Sequence, residues 1–143
     1  REEGATVKVA GSVWDETHQA ALAFCNEVSG AYVPPFDHPL IWEGHAPMME
    51  EVARQVPKPD VVVLSVGGGG LLLGVLQGLH RVGWPDVPVL AVETEGAASF
   101  YQSAKAGKLI TLEQVNTVAR SLGAKRVAPA LMDWLPRHPI TPW

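Results

Sequence analysis

Cysteine is nearly absent: the 143 residues contain one, Cys25, so no internal disulfide can form, and a reducing, cytoplasmic compartment is the expectation. Long apolar runs are missing too. The most hydrophobic stretch, Val61–Val66, is halted by glycines far short of the ~20 residues that a bilayer-spanning helix needs, and no secretory signal pattern is present. Positive charge is sparse and scattered. Eleven Lys and Arg stand against fifteen Asp and Glu, for a net charge of −4, and Lys125-Arg126 is the only adjacent basic pair. Nucleic acids and anionic membranes both reward clustered cations, so neither is expected as a partner. An initiator Met is also lacking. The chain opens on Arg1-Glu2-Glu3-Gly4, which reads as the last turn of a helix with its glycine cap. It closes on His138-Pro-Ile-Thr-Pro-Trp143, with no closing helix or strand expected. Both ends suggest residues 1–143 are an internal fragment of a larger domain.

What is present reads as an ordinary α/β protein, 47% hydrophobic and 18% charged, long enough for one compact domain. Thr6–Ala10 is β-branched and alternating, which predicts a strand. Ser12 offers an N-cap oxygen, and Asp15 and Glu16 suit a first helical turn. Ala20, Ala21, Phe24 and Val28 then follow at helical spacing up to Gly30. Three prolines between Pro34 and Pro39 forbid a helix there and predict a shaped loop. Met48, Met49, Val52 and Val56 predict a second amphipathic helix, ended before Pro57. Val61–Val66 has the composition of a parallel strand buried on both faces. Gly67–Gly70 and a helix over 71–82 follow it directly. Val87–Val92 predicts a second buried strand, and a helix over 97–106 is capped by Gly107. Short helices are expected around 115–122 and 127–135. Strands alternating with helices indicate a parallel sheet flanked by helices.

Four consecutive glycines between a buried strand and a helix are costly, because each loses more backbone entropy on folding than alanine would. A tight turn needs one or two. Four suggest close approach to the backbone, at a place where free N–H groups and a helix dipole favour a phosphate. The absence of Lys-Ser or Lys-Thr after the glycines excludes a Walker loop. Spacing leaves a dinucleotide open: Gly68, Gly70 and Gly74 form a variant fingerprint, and Glu93 ends the next strand where a ribose-binding acid would stand.

Longer motifs carry a resemblance. Val63–Leu72 (VLSVGGGGLL) resembles the phosphate loop of the serine dehydratases, in the tryptophan-synthase-β-like group of pyridoxal-phosphate enzymes. Gly4–Val9 (GATVKV), Val33–Ala46 (VPPFDHPLIWEGHA), Val87–Ala97 (VPVLAVETEGA) and Val118–Val127 (VARSLGAKRV) are similar to further segments of that family, in the same order. The resemblance covers nearly the whole chain. It implies a partial fold-type II domain in which Gly67, Gly68, Gly69 and Gly70 hold the phosphate of pyridoxal 5'-phosphate. Glu93, with carbonyls of Gly67, Ala97, Leu122 and Ala124, is implied to hold a cation. Relatives that bind a divalent ion have an acid at the position of Ser99, so potassium is expected.

The resemblance further implies an L-serine/L-threonine ammonia-lyase, yielding pyruvate or 2-oxobutyrate, that works as a homodimer. Gly44-His45-Ala46 resembles the branch acting on L-serine, with L-threonine second. The family's Schiff-base lysine lies in a motif matched by none of Lys8, Lys58, Lys105, Lys108 and Lys125, so no catalytic residue is expected here and the isolated chain should be inactive. A nicotinamide-dependent oxidoreductase and a non-enzymatic truncated product associating with full-length subunits are the competing readings.

Among the remaining residues, Cys25 is expected on a buried helix face as inert core. His38 and His45 flank the proline loop at a spacing that suits no zinc site. His18, His80 and His138 read as solvated or capping residues, and the five Trp as packing or surface anchors.

Overall fold

A computed structural model describes residues 3–143, in two compact units, residues 3–33 and 34–143. Arg1 and Glu2, where the expected opening helix turn would begin, lie outside the described residues.

The first unit holds one helix, α1 (Trp14–Glu27). Its start differs from the expected cap. Ser12 does not cap with its own oxygen; instead Glu16 reaches back, its Oε2 accepting from the Ser12 amide at 2.7 Å and the hydroxyl at 3.0 Å. Thr6–Ala10 forms no strand, because no neighbouring strand pairs with it; Val7 and Val9 are exposed. α1 has no fully buried residue, and Cys25 is half-buried rather than core. His18 Nδ1 meets the Tyr32 hydroxyl at 2.7 Å, so it is neither solvated nor a cap.

The second unit opens with the proline loop, and its third proline starts a helix instead of forbidding one. α2 (Pro39–His45) has Pro39 in its first turn, where a missing N–H costs nothing, and His38 Nδ1 accepts from the Leu40 amide at 3.2 Å. α3 (Pro47–Gln55) follows, then β1 (Val62–Ser65), α4 (Gly70–Arg81), β2 (Val89–Val92) and α5 (Ser99–Ala106). Gly107 ends α5 as expected, at φ +65°. No helix forms over 115–122; the short α6 (Leu131–Trp134) is all that forms of the expected 127–135 helix.

The three strands pair in parallel in the order β1-β2-β3, where β3 (Ile140–Pro142) is a strand that the sequence reading denied to this end of the chain. Its ladder is main-chain work: the Val89 amide donates to Pro139 O at 2.9 Å, Trp143 N–H to Ala91 O at 2.8 Å, and Glu93 N–H to Trp143 O at 2.8 Å. Three residues including a proline carry no side-chain pattern to announce this.

Alternation along the strands sends Val62, Leu64, Val89, Ala91 and Ile140 to one face. That face packs into a core with Leu72, Leu73, Leu76 and Leu79 of α4, Phe100 of α5, and Leu131 and Trp134. The other face is not covered. Val61, Val63 and Trp143 are exposed and Leu90 and Val92 half-buried, so the expected burial of β1 on both faces is not found. None of the described helices is long and apolar enough to cross a membrane.

His138, expected at the surface, is buried. Its Nε2 lies 2.8 Å from Val87 O, which fixes the proton on that nitrogen, so Nδ1 accepts from His80 Nε2 at 3.2 Å. His80 packs edge-on against Trp134. Burial holds the His138 pKa below its ordinary 6.5, with nearby His80 adding to this; the Val87 carbonyl and Asp86 pull the other way. A depressed folded pKa gives stability that is complete above pH 6.5 and lost as pH falls through the folded value. Urea midpoints should therefore decline from pH 7.5 to pH 5, and less steeply in His138→Gln. An equal slope in the variant would place the acid sensitivity elsewhere.

Candidate cofactor site

β1 delivers its chain to the glycine loop through Val66, whose amide donates to Val92 O at 2.7 Å and ties the end of β1 to β2. Two of the loop's carbonyls are fixed by the protein. Gly68 O accepts from the Ala128 amide at 2.8 Å, and Gly69 O accepts from Leu73 N–H at 3.0 Å as the first bond of α4. Among the described residues, the amides of Gly67, Gly68 and Gly69 donate to no backbone carbonyl. Gly69 is buried, at φ +92° in the N-cap position. A buried amide without a partner is costly and rare. Gly67 and Gly68 are half-buried, and the three amides stand in a row at the N-terminus of a twelve-residue helix, an arrangement in which free N–H groups and the helix dipole favour an anion.

Protein atoms crowd all four glycines. A Cβ at Gly67 would overlap the Leu122 carbonyl, one at Gly68 the Phe36 ring, and one at Gly69 the Leu131 side chain. At Gly70 it would lie 2.8 Å from Phe36 O. The groups pressing on the Cα side of the loop are protein, and the amides remain for a ligand. Phe36, in the proline loop, is itself held by α2, its carbonyl accepting from Trp42 Nε1 at 2.6 Å. Neither Phe36 nor Leu131 was singled out from sequence. The aromatic directly after Pro34-Pro35, within reach of a glycine run, was the available signal for Phe36; Leu131 had none.

Glu93 follows β2 and is 8% exposed. It is neither a plain surface residue nor free: Oε1 accepts from Phe100 N–H at 2.9 Å and Oε2 from Tyr101 N–H at 2.7 Å, capping the first turn of α5. Burial raises its pKa, and the amides of Phe100, Tyr101 and Ser99 partly offset this. Two pairs of the segments expected to line a cation are in contact. The Leu122 carbonyl lies against Gly67, and Ala97 lies against Gly123. Ala97 O also accepts from Ser99 N–H at 3.0 Å, while no backbone donor among the described residues reaches the carbonyls of Gly67, Leu122 or Ala124. Beside Glu93, the hydroxyl of Ser99 is fully buried without a hydrogen-bond partner. A buried orphan oxygen, a buried carboxylate and unpaired carbonyls make a donor set that suits a hard cation. No group of three or more His, Cys, Asp or Glu able to hold a metal occurs among the described residues.

Residues 1–139 match the family model for pyridoxal-phosphate dependent enzymes. The chain belongs to that family. It is 50% identical over 142 residues to the human L-serine dehydratase/L-threonine deaminase, covering 98% of this chain and 43% of the relative. Among solved structures, it superposes on the L-serine ammonia-lyase of the fungus Rhizomucor miehei with a TM-score of 0.79 at 41% identity, covering 87% of this chain and 41% of that one. The processed threonine deaminase isoform 2 of Solanum lycopersicum gives 0.84 at 28% identity, over 98% of this chain and 41% of that one. The chain thus spans about two fifths of the length of the relatives that it matches. Family membership disposes of the dinucleotide reading, and so does the geometry: the Glu93 carboxylate faces α5 amides rather than standing ready for ribose hydroxyls.

Proposed function

We propose that residues 1–143 are the phosphate-anchoring part of a pyridoxal-phosphate-dependent L-serine/L-threonine ammonia-lyase, a cytoplasmic homodimer when whole. The observation that carries this reading is the row of unpaired amides at Gly67–Gly69 ahead of α4. The names of the relatives support the substrate class. In this reading Gly67, Gly68, Gly69 and Gly70 hold the cofactor phosphate through N–H groups, with the α4 dipole behind them. Bound pyridoxal phosphate supplies an electron sink for the α-carbon of an amino acid. The residues of this chain do the positioning: the Phe36 ring, Leu122 and Leu131 set the loop, and Ala128 N–H fixes the orientation of the Gly68 peptide. Equilibrium dialysis of the chain tests the assignment. Pyridoxal phosphate should be retained at least about tenfold better than pyridoxal, the loss expected when a charged hydrogen-bonding group is removed. Equal retention would remove the phosphate anchor.

Beside the loop, Glu93 with the carbonyls of Gly67, Ala97, Leu122 and Ala124 is the proposed potassium site. The sign of the Glu93 shift makes this measurable without activity. A raised carboxyl pKa means that stability is present below the unfolded value of 4.5 and lost as pH rises through the folded value. The charged form is therefore the costly one at neutral pH, and a neighbouring cation offsets that cost. Potassium at about ten times its Kd should stabilise the fold by roughly 1.4 kcal/mol, against choline at equal ionic strength. The effect should vanish in Glu93→Gln. Melting temperatures indifferent to potassium would leave Glu93 as the α5 cap alone.

A further inference from the structure

Immediately beyond Glu93, the chain turns through Thr94–Gly96 and meets the segment Asn116–Arg120 across a cavity of about 1000 Å³, lined by Thr94, Glu95, Gly96, Asn116, Thr117, Val118 and Arg120. The two walls are fastened together. Asn116 N–H donates to Gly96 O at 3.0 Å, and the Thr94 and Thr117 hydroxyls are 2.8 Å apart. Gly96 sits at φ +80°, and a Cβ there would overlap the Asn116 carbonyl, so the walls touch where any side chain would part them. The cavity is therefore preformed, and it lies past the carboxyl end of β2, where open α/β sheets place ligands.

Some of its polar capacity is uncommitted. Thr117 Oγ1 already accepts from Ala119 N–H at 3.2 Å, so whichever threonine donates to the other, one hydroxyl proton of the pair is left for a third group. Arg120 and Glu95 are exposed, and neither forms an ion pair among the described residues. One guanidinium and one carboxylate give the lining no net charge. A bare anion would gain Arg120 and meet Glu95, whereas a molecule with both charges can satisfy both.

We propose that this cavity binds an α-amino acid zwitterion, its carboxylate on Arg120 and the spare threonine hydroxyl, its ammonium on Glu95, as a site separate from the glycine loop. The site does not depend on the proposed cofactor assignment, since none of the seven lining residues belongs to the loop or to its supports.

The test is an amide-resolved titration of the 143-residue chain with L-serine and, in parallel, with pyruvate, which keeps the carboxylate and lacks the ammonium. L-serine should produce saturable shifts at Thr94, Gly96, Asn116 and Thr117, with Gly67–Gly70 undisturbed. Pyruvate should bind at least about tenfold more weakly, and Arg120→Gln and Glu95→Gln should each weaken L-serine by a similar factor, as expected for one charged hydrogen bond. Both side chains are exposed, so both variants should fold, which the amide spectra report directly. Absence of saturable shifts at these residues would overturn the proposal. So would equal binding of pyruvate, or undiminished L-serine binding in Arg120→Gln. Shifts confined to Gly67–Gly70 would overturn it while leaving the loop assignment standing.

Discussion

Mixed with pyridoxal phosphate and L-serine, the 143-residue chain is expected to release no pyruvate, and L-threonine no 2-oxobutyrate. The proposed chemistry needs an amine that joins the cofactor, takes the α-proton and is held against the reacting atoms. The lysines of this chain are placed for other things. Lys58 Nζ lies 2.6 Å from both Asp86 carboxylate oxygens, before β1, while the glycine loop follows the other end of that strand. Lys105 Nζ is 5.9 Å from the Tyr101 ring on α5, and Lys8 Nζ is 3.5 Å from the Phe24 ring in the first unit. Lys108 and Lys125 match no part of the family's lysine motif. Loss of such a group typically lowers rates by orders of magnitude. A coupled pyruvate assay should read at background. Borohydride reduction followed by mass mapping should find no single lysine labelled selectively. Selective labelling of one lysine together with pyruvate release would show that a reacting centre lies within these residues.

The second large effect is expected from Gly68→Ala combined with Gly69→Ala, which should lower pyridoxal phosphate retention at least about tenfold. The cause differs from simple obstruction of the ligand. A methyl at Gly68 runs into the Phe36 ring and one at Gly69 into Leu131, and Gly69 holds a φ of +92° that a Cβ disfavours. Overpacking of this kind costs about 1–3 kcal/mol per site, and relief requires the loop to shift, which turns its amides away from a common point. Gly107→Ala is the control. It has a comparable positive φ of +65° with nothing within 4 Å of the added methyl, so it should cost about 1 kcal/mol of stability and leave retention unchanged. Retention undiminished in the double variant would mean that the phosphate is held elsewhere.

The parts of this fold that were legible in the sequence are those governed by local rules. β1, the glycine loop and α4 follow one another as composition indicated, β2 ends at Val92 just before Glu93, and Gly107 stops α5. The parts that were not legible depend on partners distant in the chain. β3 exists because Ala91, Val89 and Glu93 pair with its main chain, not because Ile-Thr-Pro is a strand sequence. Thr6–Ala10 has the right pattern and no partner, so it stays irregular. His138 looked like a polar residue beside a proline, and only the positions of Val87 and His80 make it an interior one. The same division holds at the site. The glycines lead into α4 and Glu93 follows β2, yet the groups that require glycine, Phe36, Leu122 and Leu131, come from three separate segments. The capping of α5 by Glu93 had a signal in retrospect, since an acid shortly before a helix start favours its free amides.

The most direct test of the glycine loop as the phosphate anchor is an amide-resolved titration of the chain with pyridoxal phosphate. The expected result is saturable displacement of the Gly67, Gly68, Gly69 and Gly70 amide signals, reproduced in part by inorganic phosphate and not by pyridoxal. Saturation of the chain with those four signals unmoved would contradict the assignment.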